Sequence, residues 1–163
     1  MIIKKYQKYL ITTYFYHFII VSMIFLSLGF ILNFFEELKF FDDHKVDSYY
    51  PILLALLNTP SILFELFPFI FLITTKFFYI YLNDRNEFEI LKSNGINYFK
   101  ILSVLSILSI SIGIIILVFY YTFSSNLKSH YYNLKNNFSE ENEYLAVVNE
   151  SGLWIKEEID ETV

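Results

Sequence analysis

Residues 9–35 form 27 consecutive positions without an acid, a lysine or an arginine, and His17 is the one imidazole among them. About 20 apolar residues in an α-helix cross a bilayer core, so this run predicts a transmembrane helix over about residues 10–35. Lys4, Lys5 and Lys8 precede it, as the positive leader of a signal peptide would. A signal's apolar region, however, is only about 7 to 15 residues long and ends in a small-residue cleavage site, and neither holds here. An uncleaved helix retained in the membrane is expected. Composition agrees: 55% of the residues are hydrophobic, 18% are charged and the mean hydropathy is +0.45. A soluble domain is nearer half apolar and a quarter charged, which argues against an ordinary soluble enzyme.

Residues 36–50 carry Glu36, Glu37, Asp42, Asp43 and Asp47 against Lys39 and Lys45, and read as a short polar loop. Three lysines before the first span and few bases after it put the N-terminus in the cytoplasm and this loop outside. Residues 49–83 are again apolar, interrupted by Glu65, Lys76 and the prolines Pro51, Pro60 and Pro68. Thr59 before Pro60 reads as an N-cap with a first-turn proline. The second span is therefore expected at about 60–82, with 51–58 as a short helix on the outer surface and a kink at Pro68. In DRNEFEILKSNGIN (84–97), Asp84 and Glu87 are spaced as a capping box and Gly95 as a C-terminal cap. They predict about three turns of amphipathic helix over 84–95, on the cytoplasmic side. A third span follows over 98–123, with a helical continuation through 137. Its Ser103, Ser106, Ser109 and Gly113 fall within a third of the helical circumference, a face that lets another helix approach closely.

The runs YLAVV (144–148) and GLWIKEEI (152–159) alternate as strands do. Two short strands do not make a stable sheet, so this end reads as the opening of a β domain. The expected fold class is an all-α membrane protein with three transmembrane helices and a short cytoplasmic helix over 1–123. The first strands of an outer β domain, incomplete, occupy 124–163.

The net charge of -5 is unevenly placed. After residue 139 the chain carries eight acids (Glu140, Glu141, Glu143, Glu150, Glu157, Glu158, Asp160 and Glu161) and one base, Lys156. No basic stripe supports nucleic-acid binding. With no cysteine, disulfides, thiol nucleophiles and thiolate metal sites are excluded. Four scattered glycines form neither a phosphate loop nor a dinucleotide fingerprint, so no catalytic residue and no cofactor is expected. A metal site would have to come from Asp42, Asp43, His44 and Asp47, residues that a solvated acidic loop explains as well. Glu65 lies about one turn from the outer helix end, as an interfacial anchor or facing a polar cavity. Lys76 is close enough to the inner end to snorkel. Phe and Tyr, 19 and 14 in number, are ascribed to codon bias and interfacial anchoring rather than to an aromatic binding box.

Four motifs in order carry a resemblance: FFEEL (34–38), TPSILFELFPFIFLI (59–73), NEFEILKSNGINYFKIL (86–102) and GLWIKE (152–157). Together they resemble the N-terminal half of the lipopolysaccharide-export permeases LptF and LptG. The third motif is the sharpest, with Glu87, Leu91, Lys92 and Gly95 on the family's acidic, apolar, basic and glycine positions. The spacing of Pro60, Glu65 or Phe67, and Pro68, together with Gly152, Leu153 and Trp154, leans toward LptG.

The resemblance implies an inner-membrane ABC transporter subunit, not itself an enzyme, with its N-terminus cytoplasmic and its C-terminal segment periplasmic. It implies an LptF-type permease partner, an LptB-type ATPase, LptC- and LptA-type bridge proteins, and lipopolysaccharide as substrate. Family members flank a periplasmic β-jellyroll-like domain with three membrane helices on each side, so this chain is expected to be a fragment or a truncated reading frame. The cytoplasmic helix would couple the ATPase to the permease through Glu87, Phe88, Leu91, Lys92 and Gly95, with Glu87 pairing a basic ATPase residue. The first span would line the substrate path, giving Phe30, Asn33, Phe34, Glu37 and Glu65 as candidates. Asn33 stands where some LptG proteins carry a phosphate-pairing lysine. Without the resemblance, the residues also fit a small structural anchor that presents an acidic outer tail to a partner.

Overall fold

The computed structural model describes residues 5–42, 49–136, 138, 146–149 and 152–155. Three long helical rods dominate it, each long and apolar enough to cross a membrane. The first is α1 (Lys5–Phe40) and the second α2 (Tyr49–Asp84). The third runs from Tyr98 to Asn136 as α4 (Tyr98–Ile115), a π-helical turn (Ile116–Tyr120) and α5 (Tyr121–Asn136). Between the second and third lies α3 (Glu87–Ser93). Strands β1 (Ala146–Asn149) and β2 (Gly152–Ile155) pair antiparallel, Ala146 opposite Ile155 and Asn149 opposite Gly152.

α1 is apolar nearly all round, which suits a membrane solvent better than a water-facing surface. One line of it is nonetheless buried, at Leu10, Tyr14, Phe18, Val21, Gly29, Asn33 and Glu37, a three-to-four-residue repeat over most of its length. That line meets Leu54, Ala55, Thr59, Leu63, Phe67, Ile70, Thr74, Phe78 and Leu82 of α2. Lipid tails are as apolar as leucine, so association rests on packing and on polar contacts between helices. Rings supply much of the packing: Phe18 lies 5.1 Å from Phe71, and Tyr14 meets Phe78 edge-on at 5.6 Å. Tyr14 is fully buried, and its hydroxyl sits 3.3 Å from Thr75 Oγ1 and 3.2 Å from Ser109 Oγ, touching all three rods.

Several local expectations change. The second helix begins at Tyr49 rather than near residue 60 and runs unbroken through Pro60 and Pro68, so 51–58 is no separate surface helix. Thr59 does not cap it. Its hydroxyl donates back to the Ala55 carbonyl at 2.6 Å, and Asn33 of α1 donates to the same oxygen at 3.0 Å. The donor missing at Pro60 would have met the Leu56 carbonyl, so the Asn33 bond ties α1 to α2 beside the proline rather than replacing its lost bond. At 36 residues, α1 and α2 would each extend about 54 Å, well beyond a hydrocarbon core of about 30 Å.

α4 packs within the chain through Ile101, Leu105 and Ile112, and of its small residues Ser109 meets Tyr14. Ser103 and Ser106 are exposed, Ser103 donates to its own helix at Phe99, and a side chain at Gly113 would meet open space. The capping box also fails to form. α2 continues to Asp84, so the residue before α3 is Asn86, in the left-handed region at φ 53° and without a side-chain cap. This leaves seven residues in α3, fewer than the three turns expected.

Beyond the membrane core, a second cluster joins the far ends of the rods. Phe41, Leu54 and Tyr131 are buried there among Phe40, Tyr50, Leu57, Tyr132, Leu134 and Phe138.

Candidate functional site

At the end of the bundle that holds the N-terminus, α3 lies against α1, α2 and α4. The Phe88 ring stacks on Tyr79 at 5.7 Å and meets Tyr98 at 5.6 Å. Leu91 and Ile96 pack on the main core beside it. The Glu87 carboxylate accepts a hydrogen bond from the Tyr9 hydroxyl of α1. Gly95 ends the helix at φ 76°, where an L side chain would be strained. Its N–H donates to the Lys92 carbonyl and that of Ile96 to the Leu91 carbonyl, both at 3.0 Å, which satisfies two orphan acceptors of the last turn. Lys100 Nζ donates to the Gly95 carbonyl at 3.0 Å. Of the five expected partner-binding residues, Glu87, Phe88 and Leu91 thus turn toward this chain, and Lys92 and Gly95 are exposed. Ile90, at 57% exposure, and Phe99, at 81%, are among the large apolar side chains this end offers outward.

Alongside, Arg85 sits over the Tyr81 ring at 4.7 Å, and His17 meets the same ring edge-on at 5.1 Å while its Nδ1 lies 2.7 Å from the Thr13 carbonyl. His17 thereby serves packing and a local hydrogen bond. Lys76 is exposed on α2.

The five path candidates lie in the opposite half and divide into two groups. Phe30 and Phe34 are half-buried and stack on each other at 6.1 Å, and Glu65 is exposed. Asn33 and Glu37 are each only 1% exposed. Asn33 joins α1 to α2, donating to Ala55 and accepting from Asn58 Nδ2 at 3.1 Å. Glu37 receives the Tyr131 hydroxyl at 2.7 Å and Lys135 Nζ at 3.0 and 3.1 Å on its two oxygens. Lys135 also lies over the Phe40 ring at 4.4 Å. Glu65 has its counter-ion in Lys128 at 3.7 Å, across α2 and α5.

Tyr9, Tyr131, Lys128 and Lys135 were not singled out from sequence. Their one local signal is spacing: Lys128, Tyr131 and Lys135 fall on one helical face, three and four residues apart. Tyr120, a ring at the edge of the third span, has a hydroxyl that donates to the Pro60 carbonyl at 3.1 Å from within the π turn. Among the described residues no group of His, Asp and Glu is placed to hold a metal ion. Asp42 is exposed, while Asp43, His44 and Asp47 lie outside the described residues.

The arrangement offers no nucleophile–base pair among the described residues; its polar groups tie helices together. Two features stand out: a small helix clamped to the end of the bundle that holds the N-terminus, and a first helix held by buried polar contacts toward its other end. Neither the curated proteins nor the solved structures give a match to the chain. A family model does, that of the lipopolysaccharide export system permease LptF/LptG, over residues 8–163. Covering all but the first seven residues and agreeing with the motif order, this match shows that the chain belongs to the LptF/LptG family of lipopolysaccharide export permeases.

Proposed function

We propose that this chain serves as a permease subunit of an ABC transporter that draws lipopolysaccharide from the inner membrane, driven by a separate cytoplasmic ATPase that engages α3. Membership of the family makes it a protein of lipopolysaccharide export, and three apolar helices suit an inner-membrane permease. The observation that carries the coupling reading is the placement of α3. It is a short helix at the end of the bundle bearing Lys5, Lys8, Arg85, Lys92 and Lys100, the cation-rich end that the positive-inside rule puts in the cytoplasm.

In this reading Ile90 and Lys92 meet the LptB-type ATPase. Phe88 and Leu91 transmit the load to the bundle, Gly95 closes the helix, and Glu87 stands between the ATPase and α1. On the outer half, Phe30 and Phe34 present the first helix to lipopolysaccharide within an LptF-type and LptG-type pair, with Glu65 at the mouth. Asn33 and Glu37 hold that helix from behind. Residues 1–123 make the membrane half-domain, and 124–163 open a periplasmic β-jellyroll-like domain where LptC- and LptA-type bridge proteins take over.

Co-purification of the ATPase with the tagged permease tests the coupling. Glu87→Ala and Leu91→Asp are each expected to lower ATPase recovery several-fold at unchanged permease level. Recovery equal to that of the parent in both variants would count against α3 as the docking element.

A further inference from the structure

The contact between the outer end of α1 and α5 is built more heavily than packing alone requires. One carboxylate, Glu37, is 1% exposed and takes three hydrogen bonds from two side chains of α5. Its cation, Lys135, is 8% exposed, is bonded to Tyr131 Oη at 2.8 Å as well, and lies on the Phe40 ring of α1. A buried ion pair is costly to assemble and costlier to break on one side, because the remaining charge is left without a partner. Such a contact therefore holds one geometry or is lost altogether. One helical turn earlier on the same face, Asn33 binds α2 through Ala55 and Asn58. Successive turns of α1 are thus tied first to α2 and then to α5, and the hydrophobic cluster of Phe41, Leu54 and Tyr131 seals the junction.

We infer that Glu37, Tyr131 and Lys135 are positioning residues that lock the outer end of the first membrane helix to the helical stalk α5, so that the two move as one body during export. The inference rests on the permease reading for its consequence and on the contact geometry for its existence. The pair Glu36 and Glu37 divides the work: Glu36 faces solvent, and Glu37 is the locking acid. Rearrangement of the bundle then takes place around this outer joint, and the stalk carries any displacement of α1 toward the segment that follows it.

The chain has no cysteine, so spin labels attach at Leu38→Cys and Asn133→Cys, both exposed, in the full-length permease assembled with its partner and ATPase. Pulsed electron paramagnetic resonance is expected to give one narrow distance distribution, the same without nucleotide and after vanadate trapping. Lys135→Met is expected to widen it at least twofold, and Lys135→Arg to keep it narrow. Should Lys135→Met not insert, Tyr131→Phe, which keeps the ring and removes one donor, is expected to widen it in the same direction. A distribution that shifts on trapping in the otherwise unmodified protein, or that stays narrow in Lys135→Met or Tyr131→Phe, overturns the lock. The resting-state comparison of variants decides the lock whether or not the ATPase engages. A second label pair at the inner end, insensitive to trapping, would count against the coupling reading alone.

Discussion

Several polar side chains in this bundle find partners on other helices, and hydrogen counting at Tyr14 shows how. Thr75 spends its hydroxyl proton on the Phe71 carbonyl at 2.8 Å, so in its contact with Tyr14 it accepts. Tyr14 therefore donates to Thr75, which leaves its own oxygen to receive Ser109. One buried phenol thus joins the three spans at a level where no water competes. Interhelical hydrogen bonds in membranes average about 0.6 kcal/mol each, so Tyr14→Phe is expected to destabilise the bundle by roughly 1 kcal/mol. Unfolding in mixed micelles measures this, and a double-mutant cycle with Thr75→Ala should return a coupling of the same order. A cycle with no coupling would show the two hydroxyls to be neighbours without a bond.

At the level of elements, α3 has seven residues, too few to be stable by helix propensity alone. It is held at both ends by tertiary or special backbone contacts: Phe88 between Tyr79 and Tyr98, and Gly95 in a left-handed cap. A side chain at Gly95 meets nothing within 4 Å, so its penalty is conformational rather than steric. Gly95→Ala should cost about 1 kcal/mol, felt locally. Amide exchange of residues 90–96 is expected to quicken about fivefold, with the exchange of α1 and α2 unchanged; an unaltered rate in α3 would show the cap to be dispensable. The same helix explains a limit of sequence reading. The capping-box spacing of Asp84 and Glu87 is real, yet Asp84 belongs to α2, whose last turn carries the fully buried Leu82. Glu87 is then free to meet Tyr9, a partner 78 positions away that no local pattern names.

For the molecule as a whole, the positive-inside rule turns the charge distribution into a topology prediction. Lys5, Lys8, Arg85, Lys92 and Lys100 gather at one end of the bundle, and Glu36 and Asp42 lie toward the other. With single cysteines in this cysteine-free chain, a membrane-impermeant maleimide added to intact spheroplasts is expected to label Asp42→Cys and Asn133→Cys and to spare Asn94→Cys until the cells are opened. Labelling of Asn94→Cys alone from outside would invert the topology and with it the assignment of α3 to the ATPase. The family match extends over both halves of this arrangement, and the motif order that carried the resemblance survives where individual contacts differ.

What the sequence determined by itself is whatever depends on neighbours along the chain: the number of apolar segments, the glycine cap at Gly95, the polarity of the two ends and the family. These follow from hydropathy, backbone preference and charge, which are local quantities. Only the tertiary structure decided that α2 continues through Pro60, that Glu65 has Lys128 as its counter-ion, and that Glu37 is buried against a lysine 98 positions away. Each of these depends on what packing brings alongside from a distant stretch of chain. A buried charge such as Glu37 is tolerated only where its partner arrives.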